Sequence, residues 1–489
     1  MSTISTEHPE YAESLIDWTL MRDAYAGERK VKSKASVYLP FTQSQILDGV
    51  ATSEQPGYKA YDAYRKRARF PNFVREAVQA AIGMLHYQPP KITLPPEMEN
   101  IRSVKGETMH QLLRRINVEQ LTTGRVGLLV DLPSVPSITP IPYIAFYQAE
   151  RIINWDDGKV EQLVPQSLNV VVINETENER TGVFDWENTE SKYRVLLLGD
   201  PVENEEAGVY RAGVFEKSEF NINLMTTPMI RGRTLNRIPF VFINSGDLVP
   251  EPDQPPLLDL GNLCMTIYRG DADYRHNLFM QGQDTLVIIG GLGDDEDSVR
   301  IGAGATINVP AGGDVKYAGV SSKGLEEQRT ALENLEKRAG TMGAQTLDST
   351  SRERESGVSM QIRVAARTAD LHQIALSGAA GLEKILKITA EWMGINPDLV
   401  KIEPNLKFGE RRVTGQSMVE MATARNLGYP ISAASLHQLA SDEGVTSLSF
   451  EEEVAQAKKE EDTPFAKAST GDRNPAQSPS NAPNPANPK

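Results

Sequence analysis

PPLLDLGNLCMTIYRGDADYRHNLFMQGQDTLVIIGG, from Pro255 to Gly291, holds two kinds of structure in one run. After Pro256, Leu260, Leu263, Ile267, Tyr274 and Leu278 recur at helical spacing, with Asp271 interrupting the face. TLVIIG, Thr285–Gly290, is a short apolar run closed by glycine, the pattern of a strand. Downstream, GLGDDED reads as an acidic turn, AGATINVP as a second strand, and Asp314–Tyr317 as the start of a third. A helix begins near Gly324, with Leu332, Leu335, Arg338 and Met342 on one side. It fades at Gly343–Thr346 into LDSTSRERES, which is too polar to pack and is expected to be a loop. No proline occurs from Gly357 to Gly394. There Ile362, Ala365, Ala369, Leu382, Ile385, Leu386 and Trp392 mark one long amphipathic helix, with Gly378 or Gly381 as the place for a kink. Helix, β segment, helix, polar loop and long helix follow one another without a catalytic cluster, an order that suits a machine part better than an enzyme.

The chain around this stretch has 489 residues, enough for one large core or a few smaller ones. Hydrophobic content of 39% and charged content of 24% are those of a soluble globular protein. No run approaches the roughly 18 apolar residues of a membrane span, and MSTISTEHPEYAES lacks the pattern of a secretory signal. The single cysteine, Cys264, excludes an intrachain disulfide framework and a cysteine-rich zinc site; between Leu260, Leu263 and Ile267 it reads as a buried thiol. The formal charge of -15 argues against a broad basic clamp on nucleic acid. It is compatible with a surface that lets DNA pass over sparse basic contacts.

Toward the N-terminus, Leu15, Trp18, Met21 and Tyr25 predict a helix stopped by Gly27, followed by a basic loop with Arg29, Lys30, Lys32 and Lys34. Two helices flank Pro71, which is expected in the first turn of the second, and the second ends before Pro89. Residues 107–123 predict another helix, and Gly124–Pro133 a buried strand. From 141 to 244 the pattern is mostly β, with strands expected at Ile141–Phe146, Asn169–Ile173, Tyr193–Leu198, Val209–Phe215 and Ile238–Ile243. NETENERTG, Asn174–Gly182, is expected to be a hairpin tip. Residues 405–465 predict a small helical region packed through Leu436, Leu439, Phe450 and Val454, and the Pro/Asn/Ser-rich residues 466–489 are expected to be disordered. The fold class is α+β.

Candidate chemistry is sparse. No Walker-type phosphate loop, no H-E-x-x-H and no G-x-S-x-G occurs, and the six histidines are scattered. Asp271, Asp273 and His276 could share a hydrolytic metal, but on a helix only Asp273 and His276 share a face, so a surface cluster bonded to its neighbours explains them without metal. Asp294, Asp295, Glu296 and Asp297 lack the ligand spacing of an EF-hand and read as a solvated turn. Arg65, Lys66, Arg67 and Arg69 are interleaved with Tyr58, Tyr61 and Tyr64; the tyrosines at i, i+3, i+6 pack one helix face, and the alternative is a stacking platform for nucleic acid. In the loop at 346–356, Arg352 and Arg354 stand beside Ser349, Thr350 and Ser351, groups that touch phosphate oxygens without reading sequence. Neither a cofactor nor a metal site is expected.

At these residues the chain resembles a known family, the portal proteins of tailed bacteriophages. The order of parts from 255 to 394 is similar to the portal core. His8–Pro40, HPEYAESLIDWTLMRDAYAGERKVKSKASVYLP, and Pro142–Gly158, PYIAFYQAERIINWDDG, resemble a branch long known only as a domain of unknown function. PFVFIN, Pro239–Asn244, followed by the opening stretch carries most of the likeness, which covers roughly residues 8 to 400. The resemblance implies a wing at 1–255, stem helices at 256–283 and 322–345, a clip at 284–321, a tunnel loop at 346–356, a long helix to the crown at 357–394 and a crown at 395–465. Neighbouring clips would exchange strands through Thr285, Leu286, Val287, Ile288 and Ile289 and through Thr306, Ile307 and Val309. Arg352 and Arg354 would face DNA. About twelve subunits would close a ring by head-to-tail contacts at one capsid vertex of the virion, after assembly in the host cytoplasm. Its implied partners are double-stranded DNA in the channel, the terminase large subunit, head-tail adaptor proteins and the major capsid or scaffolding protein, with no membrane. Two other readings remain at this point: a different phage head protein, such as a minor capsid or scaffolding component, and a metal-dependent hydrolase built on Asp271, Asp273 and His276.

Overall fold

The computed structural model describes residues 3–461 apart from 134–140, 157–167, 181, 189–190, 199–207, 217–218, 282–284, 291–308, 310, 319–322, 345–356, 407, 409–414, 443–445 and 447. The fold mixes helix and sheet, and the chain forms two compact units, Met1–Phe408 and Gly409–Lys489. In the first unit, α1 (Pro9–Ala26), α2 (Glu28–Ser33), α3 (Gln43–Leu47), α4 (Pro56–Arg67) and α5 (Phe73–Leu85) open the chain, followed by β1 (Lys91–Thr93) and α6 (Met109–Thr123). The β-rich part comprises β2 (Arg125–Asp131), β3 (Tyr143–Gln148), β4 (Ile152–Trp155), β5 (Val170–Asn174), β6 (Asn178–Arg180), β7 (Trp186–Asn188), β8 (Lys192–Leu198), β9 (Tyr210–Glu216) and β10 (Phe240–Asn244). Then come α7 (Leu258–Gln281), β11 (Thr285–Ile289), β12 (Asp314–Ala318), α8 (Lys323–Ala344), α9 (Gly357–Met393) and β13 (Lys401–Glu403). The second unit holds α10 (Gly415–Asn426), α11 (Ala433–Asp442) and α12 (Phe450–Glu461), with His437 of α11 edge-on to Phe450 of α12.

The N-terminal helices follow local rules. Pro9 occupies the first turn of α1, His8 caps it by accepting from Glu10 N, and Gly27 ends it at φ 91°, where a side chain would be strained. Trp18 and Met21 are fully buried on its inner face. In α4, Tyr61 and Tyr64 are buried, so the tyrosine spacing packs a helix face as expected. Pro71 differs from expectation. It lies outside α5, because Asn72 is the cap and its side chain accepts from Arg75 N at 3.2 Å. In α6, Thr108 and Gln111 close a capping box, and Gly124 ends the helix in the left-handed region.

Three antiparallel strands in the order β10-β2-β3 form the central sheet, and β4-β5-β8-β9 form a second. All seven residues of β2 are buried, because β2 is the middle strand and helices α6 and α9 pack on it. A Cβ at Gly127 would lie 2.3 Å from Phe240 Cζ, so only glycine fits there. α9 lies along β10 and α6, and one glycine permits each approach. A Cβ at Gly381 would meet Ile243 Cγ1 at 2.4 Å, and one at Gly378 would meet Asn117 Nδ2 at 2.6 Å. Both glycines lie within the continuous helix Gly357–Met393, so their role is close packing. Beside them runs a buried polar chain. His86 Nε2 pairs with Asn117 Oδ1, Asn117 Nδ2 donates to Gln120 Oε1, and Gln120 Nε2 donates to Asn244 O and to Ser377 Oγ, all at 2.7–2.9 Å. Pairing each member removes the desolvation cost of burying it. β13 pairs antiparallel with β1, which holds residues 401–403 in the first unit.

Two consequences are measurable. Gly83 lies inside α5, where an added Cβ would meet no atom within 4 Å. Gly83→Ala is therefore expected to raise stability by about 0.5–1 kcal/mol, read as a higher denaturation midpoint. Burial holds the His86 imidazole below its ordinary pKa, opposed by its bond to Asn117. The unfolded chain then takes up this proton first as pH falls, so stability should drop below the ordinary histidine pKa, until the folded form titrates too. His86→Gln should show a smaller fall in melting temperature between pH 7 and pH 5 than the parent.

Candidate assembly interface

α7 and α8 build the most unusual part of the molecule. The first half of α7 is core, with Leu258, Leu260, Cys264, Met265, Ile267, Tyr268 and Ala272 buried. Cys264 is a plain buried thiol, its pKa pushed up to about 11 by burial. The last turn emerges into solvent, leaving Leu278 48%, Phe279 40% and Met280 46% exposed. α8 packs antiparallel to it. Gly343 lies against Leu260, Gly270 against Leu332, and Asn277 Nδ2 donates to Gln328 Oε1 at 3.2 Å, so the two helices stay in contact from base to outer end. The inward stripe of α8 is Leu325, Gln328, Leu332, Leu335, Ala339 and Met342, at the 3–4 spacing of a helix seam. Arg338, expected on this stripe, is exposed; Ala339 takes the place because its small side chain suits the crowded base, where α8 meets α5.

At the outer end, β11 pairs antiparallel with β12 in the register Thr285↔Ala318, Leu286↔Tyr317, Val287↔Lys316, Ile288↔Val315 and Ile289↔Asp314. Among the described residues this sheet has two strands only. Val287 is 38% and Ile289 48% exposed. A two-stranded sheet is marginal in water on its own, and the edge of such a sheet is a template for a further strand. Of the residues expected to form the second strand, Thr306 and Ile307 lie outside the described residues, and Val309 is described but belongs to no strand. The loop residues Ser349, Thr350, Ser351, Arg352 and Arg354 also lie outside them, as do Asp294–Asp297 and residues 466–489.

The candidate hydrolytic cluster is tied to neighbouring side chains. Asp271 pairs with Arg275 at 2.7 Å and accepts from Arg69 N at 2.6 Å. Asp273 accepts from the Tyr64 hydroxyl, and His276 stands edge-on to the same ring. Burial lowers the His276 pKa, helped by the Arg67 charge. Asp273 and His276 thus share one face and Asp271 another, as the spacing predicts. Among the described residues no group of three His, Cys, Asp or Glu is placed to hold a metal ion, and no helix is long and apolar enough to cross a membrane.

Sequence reasoning missed Arg125. Its guanidinium is buried between the Trp155 and Phe242 rings, 4.2 Å from each centroid, and burial pushes its pKa down. The signal for it was weak, one cation at the head of an apolar run. It also missed the ion network in which Arg194 joins Asp131 at 2.6 Å and Glu175 at 2.7 Å.

The family model of a domain of unknown function, DUF4055, matches residues 256–393, a span that opens just before α7 and closes with α9. No curated protein matches the chain. Among solved structures, a chain from "Neck of native GTA particle computed with C12 symmetry" aligns at a TM-score of 0.36 and 11% identity, over 78% of this chain and 90% of that one. A chain from "Neck of empty GTA particle computed with C6 symmetry" aligns at 0.34 and 12% identity, over 79% and 90%.

Proposed function

We propose that the protein is a portal-type subunit: a structural conduit that closes into a ring of about twelve copies at a capsid vertex of a tailed phage and passes double-stranded DNA. One observation carries this reading. A pair of antiparallel helices, rooted in the core, leads to a β pair that is two-stranded among the described residues and carries exposed Val287 and Ile289. A monomer has no use for such an end, whereas a ring covers it by adding a neighbour's strand. In this reading α7 and α8 are the stem, β11 and β12 belong to the clip, and Arg352 and Arg354 touch passing phosphates. The motor that hydrolyses ATP, the later head-tail adaptors and the capsid or scaffolding protein are separate partners. Native mass measurement and negative-stain imaging of the purified chain test the reading. A closed ring with a central hole is expected; a stable monomer at micromolar concentration would overturn it.

A further inference from the structure

The fold joins two basic runs that lie far apart in sequence. α2 and the end of α4 are joined by side chains that donate to main-chain carbonyls: Lys32 Nζ donates to Lys66 O at 3.2 Å, and Arg65 Nη1 donates to Lys32 O at 3.1 Å. Lys32, Arg65 and Lys66 are thereby brought together, with the exposed Arg29, Lys30 and Arg69 in the same two segments, in a chain whose formal charge is -15. The carboxylates that pair within the patch are few. Glu28 holds Lys32 at 2.6 Å, and Asp62 holds Arg65 at 2.7 Å and Lys66 at 2.6 Å. Arg29, Lys30 and Arg69 face solvent, and the Lys66 side chain is 72% exposed. Helix electrostatics favours the cations in the last turns of both helices, Lys30 and Lys32 in α2 and Arg65, Lys66 and Arg67 in α4; what distinguishes the patch is that these two cationic ends meet.

We infer that this patch is a second contact for a nucleic-acid phosphate backbone, distinct from the loop at 346–356. The inference rests on the conduit reading for its biological sense, and on the α2–α4 junction for its chemistry. A phosphate chain needs closely spaced cations and no apolar seat; arginines bind its oxygens through paired N–H groups and lysines as point charges. The surface between the cations is itself polar, with Glu28, Ser33 and Asp62. The contact is sequence-independent, because only charge and spacing are offered. α4 also packs on α7, and Arg69 N is bonded to Asp271 of that helix, so a load on the patch is passed to the stem.

The test measures anisotropy of a fluorescent duplex of about 30 base pairs of mixed sequence with the full chain, at several salt concentrations. Replacing Lys30, Lys66 and Arg69 together by Ala should weaken binding at least about tenfold near 0.1 M salt, and should lower the slope of log affinity against log salt by about 3. A charge-keeping variant, Lys30→Arg, Lys66→Arg and Arg69→Lys, should bind like the parent. Unchanged affinity in the alanine variant overturns the inference, and so does polyglutamate competing as well as DNA, which would mark an acidic protein as the occupant. Mass measurement on the same samples separates the two readings: unchanged duplex affinity in an alanine variant that still forms the ring sinks only the patch, and charge-dependent binding by a chain that never closes sinks only the conduit.

Discussion

With Val287 and Ile289 both replaced by Asp, the subunit is expected to fold normally and to remain monomeric. Both side chains are exposed in the isolated subunit, at 38% and 48%, so the change costs the core little. In an assembled ring the same positions would be covered. Burying two carboxylates without partners would cost several kcal/mol per contact, and that cost recurs at each contact around the ring. Melting temperature of the monomer should move by only a degree or two, whereas, on the proposed ring reading, the native mass should fall from the ring to one chain. An intact ring in this double variant would show that the hairpin is not the joint. The converse change, Leu278→Ser with Phe279→Ser, should weaken assembly less, because Phe279 already lies under Arg67 at 3.8 Å within its own chain.

Gly381→Val should be strongly damaging to the first unit. Its Cβ would lie 2.4 Å from Ile243 Cγ1, 2.5 Å from Ile243 Cδ1 and 3.2 Å from Leu248 Cδ2. Ile243 is fully buried in β10, and α9 continues through this point, so neither partner can withdraw. Overpacking of this kind costs about 1–3 kcal/mol, to which the displaced polar contacts of Gln120 and Ser377 would add. Chemical denaturation of the variant should show a midpoint clearly below the parent, with expression largely in the insoluble fraction. A variant as stable as the parent would mean that α9 does not lie tightly against β10.

Most helices were legible because their signals are local. Gly27, Gly124, Pro9 and the apolar spacing of α1, α5 and α6 mark starts, stops and faces without reference to distant residues. Strands β2, β5, β8, β9 and β10 were legible as apolar runs, but their order was not. That β2 lies between β10 and β3 depends in part on contacts more than a hundred residues apart, which no window of sequence records. Pro71 was misplaced because a better cap, Asn72, stood beside it. Arg338 was misassigned because helical spacing alone does not tell adjacent positions at the edge of a stripe apart. Of the candidate site, TLVIIG was evident as a strand, while its partner is Asp314–Ala318, since pairing depends on how the chain returns between them.

The antiparallel seam of α7 and α8 also makes a lever. From the Gly343–Leu260 contact to the Asn277–Gln328 contact is a run of about 26 Å at the helical rise of about 1.5 Å per residue. A tilt of about 5° at the root would move the far end by about 2 Å, a large part of the roughly 3 Å span of a backbone hydrogen bond. Small adjustments among Ala339, Met342 and α5 at the base are therefore amplified into the making or breaking of strand contacts at β11. The rigidity of the pair, more than the strength of any bond at its tip, sets how faithfully a change at one end of the subunit is reported at the other.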